Sequence, residues 1–132
     1  MIRQALFITA FLLLFLSPSI SRGADWEHLM RDNKGDSYFI DLESIRQTSS
    51  GTTRLLRKVE PGDTSKYSSI ITEMEIDCKG KRTRALKESY YSDKGVSSSG
   101  NTDEKWQDVR PEDMNELLLE IVCSLRKTRS RP

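Results

Sequence analysis

Residues Ser69–Cys78 read Ser-Ile-Ile-Thr-Glu-Met-Glu-Ile-Asp-Cys, and their alternation decides the fold. Ile70, Met74, Ile76 and Cys78 fall on one side of an extended chain, and Glu73, Glu75 and Asp77 fall on the other. A period of two is that of a half-buried antiparallel strand. Lys79-Gly80 supplies a turn, and Lys81 to Tyr91 supplies the returning strand. With two residues in the turn, Cys78 faces Lys81, Asp77 faces Arg82, Ile76 faces Thr83, Glu75 faces Arg84 and Met74 faces Ala85. Opposite charges then meet on the solvent side while apolar groups meet inside. A slip of one residue would undo both pairings, so the register is specified twice.

Outward from this hairpin, the preceding sequence continues the sheet. Thr52 to Glu60 reads as a strand that Pro61-Gly62-Asp63 ends. Ser37 to Asp41 carries the aromatic and β-branched residues of another. Asp41 then opens a short helical turn through Ile45, where its carboxylate can accept from free backbone N–H groups. Asn33-Lys34-Gly35-Asp36 is a turn, and Trp26 to Met30 a first strand.

On the other side, Ser92 to Lys105 has almost no apolar residue and three consecutive serines, so it reads as a mobile loop. Trp106 is expected to re-enter the core. Pro111, Glu112 and Asp113 suit the first turn of a helix, and Met114, Leu117, Leu118, Ile121, Val122 and Leu125 recur at helical spacing. That stripe packs the helix on the sheet, with Cys123 at its edge reaching Cys78. Arg126, Lys127, Arg129 and Arg131 complement the helix C-terminus and form a basic, frayed tail from about residue 127. The fold class is α+β: a single antiparallel β-sheet with a C-terminal α-helix packed on one face, closed by one disulfide.

The N-terminus reads as an address. Ala5 to Leu16 is a run of 12 residues, apolar but for Thr9, behind Arg3. As a helix it reaches roughly 18 Å, short of a hydrocarbon core of about 30 Å. Pro18 breaks the run, and Ser21 and Gly23 stand at the −3 and −1 positions of a cleavage after Gly23. Residues 1–23 are therefore expected to be a signal peptide and 24–132 one domain. Removal of the leader takes away two of the 21 basic groups, Arg3 and Arg22, and none of the 20 acidic ones, so the net charge moves from +1 to −1. Such balance excludes strong, sequence-blind attraction to nucleic acid. No cysteine lies near the cleavage region for lipid attachment, so no stable membrane anchor is expected in the mature form.

Export also bears on the two cysteines. An even count in an oxidising compartment favours a Cys78–Cys123 bridge, which closes 45 residues and contributes about 4 kcal/mol in the chain-entropy model. A cysteine nucleophile would need a paired base, and a metal site more soft ligands than the single histidine, His28, can add. His28 has no G-x-S-x-G elbow to serve, and Glu75 and Asp77 lie opposite arginines on a charged face. No catalytic residue, metal or cofactor is expected. Tyr90 and Tyr91 point to opposite faces of a strand, one toward the core and one outward, and the outward one is a candidate contact for a partner. Tyr67, beside the 61–66 loop, is another.

Several of these residues recur in a known order: Trp26; Tyr38-Phe39-Ile40-Asp41 with Ser44-Ile45; Tyr67-Ser68-Ser69; Glu75-Ile76-Asp77-Cys78 followed by basic residues; Trp106; Pro111; and Cys123. In order and spacing the chain resembles the surface-adhesin E family of small exported bacterial proteins, from about Trp26 to Cys123. The resemblance implies one antiparallel sheet with a C-terminal helix on it, a bridge between the two cysteines, and binding of host extracellular-matrix or serum proteins. The expected function is protein binding without turnover, at the cell surface or in the periplasm, with self-association through an exposed sheet edge as a further expectation. The alternative is a soluble periplasmic enzyme inhibitor or small-ligand-binding protein.

Overall fold

A computed structural model describes residues 23–62 and 66–129. The leader expected over 1–23 lies, Gly23 apart, outside them, as does the 130–132 end of the basic tail. Within the described residues, strands β1 (Trp26–Arg31), β2 (Ser37–Asp41), β3 (Arg46–Gln47), β4 (Thr53–Glu60), β5 (Ser69–Asp77), β6 (Arg82–Ser92), β7 (Gly95–Asn101) and β8 (Gln107–Asp108) precede one helix, α1 (Met114–Arg129). The strands form one sheet in the order β1-β2-β4-β5-β6-β7, with β3 on β4 and β8 on β6, and every pairing is antiparallel. The expected α+β class and the Cys78–Cys123 bridge both hold, with the two Cα atoms 5.8 Å apart.

The hairpin at the centre has the expected register: Asp77 pairs with Arg82, Ile76 with Thr83, Glu75 with Arg84 and Met74 with Ala85. Its turn is longer than two residues. The ladder stops at Asp77 and Arg82, the Asp77 carboxylate accepts from Gly80 N at 3.0 Å, and the positive φ of 51° falls on Lys81. Cys78 is thus released from pairing and free to meet Cys123. Beyond Ala85 the pairing resumes at Lys87 opposite Glu73, so Leu86 is an extra residue in β6 and the strand bends there.

Leu118 and Val122, four residues apart on α1, are fully buried against Ile40, Leu55, Met74 and Ile76. The rest of the apolar stripe, Leu117, Ile121 and Leu125, is half-buried at the flank. The helix starts later than expected: Asp113 N donates to Arg110 O, and Glu112 holds a left-handed φ of 66°, so helical backbone begins only at Met114. Near that start, one terminal nitrogen of Arg57 approaches Asn115 Oδ1 at 3.5 Å. The helix therefore covers the sheet from the Arg57 row to the disulfide, leaving the row of Val59, Ile70 and Tyr90 beyond it.

Two expectations need correcting. Residues 92–105 are not a loop throughout: Gly95–Asn101 is β7, paired along β6 from Lys87 to Ser92. Its side chains are all exposed, so the strand rests on backbone hydrogen bonding and offers no apolar alternation to read. Trp106 does not enter the core. It lies over Arg82 and Arg84, 4.9 and 4.4 Å from its ring centre, on the side of the sheet opposite α1.

Candidate functional site

The charged side of the hairpin is less solvated than its sequence implies. Glu75 is 3 % exposed, because Arg84 grips Oε2 at 2.6 and 2.8 Å, the Thr52 hydroxyl donates to Oε1 at 2.5 Å, and Trp106 roofs the arginine. Burial pushes the Glu75 carboxyl up, but the bonds from Thr52 and Arg84 outweigh it and hold the group below its ordinary value. Asp77 is lowered too, first by Gly80 N and then by Arg82, whose Nε stands 2.9 Å away. The expectation of a solvated ladder is right for Asp77–Arg82 and wrong for Glu75–Arg84. Further along this face, Lys58 sits over the rings of Phe39 and Trp26 at 4.6 and 4.9 Å and pairs with Glu60 at 3.1 Å. His28 is exposed and meets Phe39 edge-on at 5.1 Å. These groups are mutually engaged, as a scaffold requires.

The two outer strands are different. Glu88 and Tyr90, two residues apart on β6, project to the helix side, Glu88 in the Arg57 row at the helix start and Tyr90 in the row beyond it. Tyr90 donates to Glu88 Oε2 at 2.8 Å, and that bond raises the phenol above its usual range. Ser68 N donates to Tyr91 O at 2.8 Å, fixing the chain so that the Tyr67 ring stacks, tilted, 4.9 Å from Tyr90. The structure therefore brings Tyr67 and Tyr90 together and places Tyr91 on the opposite side. Neither Tyr90 nor Tyr91 is core and neither is fully exposed: both are half-buried. Beside Tyr90 runs an open groove of about 600 Å³ between β6 and the segment 98–103, with Glu88, Gly100, Thr102 and Asp103 in its lining and no lysine or arginine there. Thr102 closes its end: its N donates to Leu86 O at 3.1 Å and its hydroxyl to Ala85 O.

Sequence reasoning missed this groove because one wall is the serine-rich stretch. The available signal was Asp93-Lys94-Gly95 directly after a strand, a turn cluster whose glycine carries a φ of 104°. Among the described residues no group of three or more His, Cys, Asp or Glu is placed to hold a metal, and no helix is long and apolar enough to cross a membrane.

Comparisons with known proteins agree with this architecture. The model of a family described as surface-adhesin protein E matches residues 26–124. The fold is similar to a solved structure of Haemophilus influenzae protein E (crystal form II), with a TM-score of 0.58 at 14 % identity, over 83 % of this chain and 95 % of that one. No curated protein matches the chain significantly.

Proposed function

The chain belongs to the surface-adhesin protein E family, and on that premise we propose that it is an exported, non-enzymatic binding protein whose partner is a host extracellular-matrix or serum protein. The observation that carries this reading is that, away from the close-packed scaffold, the half-buried rings of Tyr67 and Tyr90 stack beside an open groove at one end of the sheet. Half-buried aromatic rings beside a groove supply large contact area at small ordering cost, which suits protein recognition. Residues 1–23 direct export and are removed, and 24–132 is the working domain. Tyr67 and Tyr90 act together at the contact, and Tyr91 serves the opposite face.

The test immobilises the oxidised mature domain and passes matrix and serum proteins over it. Retention that falls with Tyr67→Ala and Tyr90→Ala, while thermal unfolding holds, supports the reading; absence of retention from every source overturns it. Protease shaving of intact cells against osmotic-shock release separates surface display from a periplasmic role. The free outer edge of β7 favours one second reading, association of two copies edge to edge, which sedimentation of the purified domain decides.

A further inference from the structure

The two edges of the sheet are protected to different degrees. At the β1 edge the register shifts between His28 and Met30, and the strand carries Glu27, His28 and Arg31. Bulges and charges of this kind prevent another chain from pairing. The β7 edge, Gly-Val-Ser-Ser-Ser-Gly-Asn, is exposed at all seven residues and has no charge and no proline. Thr102 N donates inward to Leu86 O. Antiparallel alternation then turns Gly100 and Ser98 toward β6, and leaves the N–H and C=O of Ser99 and Asn101 facing outward. The register on β6 shifts at Ser97, so the regular, uncharged template on this edge is the four-residue stretch from Ser98 to Asn101.

The groove lies beside it on the helix side. A strand added to β7 would send every second side chain toward that groove, where Glu88 and Asp103 contribute carboxylates and no lysine or arginine contributes a cation. Arg57, in the same cross-strand row as Glu88 with Thr72 between them, draws on Glu88, so the acidic excess depends on Asp103 as well. Serines and glycines along β7 leave room for an incoming long side chain, and Tyr90 offers its ring to the stem.

We propose that β7 receives an extended, basic segment of the partner polypeptide as an added strand, with a lysine or arginine of that segment lying in the groove beside Glu88 and Asp103. This rests on the binding reading above and names the chemistry of the partner at that site. Backbone pairing supplies affinity, and the carboxylates select charge.

The probe is a short labelled peptide of alternating lysine and valine, with a glutamate–valine peptide as control, titrated with the oxidised mature domain and followed by fluorescence anisotropy. The basic peptide is expected to bind saturably and more weakly as salt rises, the acidic one about tenfold or more weakly still. Ser99→Pro, at an outward-facing position, should abolish binding. Glu88→Gln with Asp103→Asn, which keeps at position 88 an oxygen to accept from the Tyr90 hydroxyl, should bring the two peptides to equal affinity with an unchanged melting temperature. Absence of saturable binding, equal affinity of both peptides for the unaltered domain, or full binding by Ser99→Pro each overturns the proposal. So does a dimer that Ser99→Pro converts to monomer while no peptide binds, since the edge then belongs to a second copy. Retention of matrix proteins without peptide binding removes this inference alone; peptide binding without any retention removes the choice of host partner alone.

Discussion

Strand β6 passes through two environments, and its halves teach different lessons. At Thr83 and Arg84 it is enclosed: Thr83 is 3 % exposed, Arg84 is bound to a buried carboxylate, and Trp106 lies over Arg84 and the exposed Arg82. From Lys87 to Ser92 it pairs with a strand of exposed serines and glycines. In the first half each side chain has partners that fix its identity. In the second half the backbone ladder is joined only by local side-chain contacts such as Tyr90–Glu88 and Ser89–Ser99, and no residue from Lys87 to Ser92 is buried. Stability resides at the stapled end, and the proposed contact lies at the open one.

That division is broken most severely by removing the staple. Cys78→Ala with Cys123→Ala should cost about 4 kcal/mol by denaturant unfolding, since a loop of 45 residues is released. An equal loss from truncating β7 would instead place the two ends on a par. Glu75→Ala comes next: it leaves Arg84 beneath Trp106 without its carboxylate and should cost about 3 kcal/mol. The same ion pair predicts the acid response. Glu75 and Asp77 are both held below their ordinary values of 4.5 and 3.8, so their contribution is fully present above about pH 4.5 and is lost as pH falls through the lowered folded values. Melting temperature against pH should bend downward there, and Glu75→Gln should shallow the bend.

Trp106→Ala sharpens the comparison by removing the roof while keeping the ion pairs. A loss of about 1–2 kcal/mol is expected in thermal unfolding, from two cation–ring contacts and the area they cover. The smallest effect belongs to the open end. Ser97→Ala in β7 should change stability by less than about 0.5 kcal/mol, measured the same way. A larger loss there would mean that β7 carries structural weight beyond its backbone.

The stapled end was legible because its signals are redundant. Alternating Ile, Met and Cys against Glu and Asp, answered by Arg82 and Arg84, fix one register, and the cysteines tie a helix of readable periodicity to it. The register carried no information on how deeply each charge sits. Glu75 and Asp77 are equivalent in the pattern, and only the chain arriving from Thr52 and Trp106 separates them. Trp106 misled for a related reason, since an indole can find its partners in two guanidinium groups while staying half-buried outside the apolar core. At the open end β7 was illegible because a strand without a buried face has no period to display. The pairing of Tyr67 with Tyr90 depends on where Ser68 joins the sheet beside Tyr91, which composition does not state.

Gly62 has a bearing on how that segment can vary. Its backbone lies against Gly35, its N donates to Asp36 Oδ1 at 3.0 Å, and a methyl group at position 62 would collide with the Gly35 carbonyl. The same tight bend is anchored by Asp32, which accepts from Asp36 N and from the Tyr38 hydroxyl. Two loops from distant parts of the chain thus share a single hinge pin with no clearance. In a saturation library, Gly62 should tolerate no other amino acid, whereas positions around Tyr67 could be diversified to retarget the molecule without disturbing the bearing on which they are mounted.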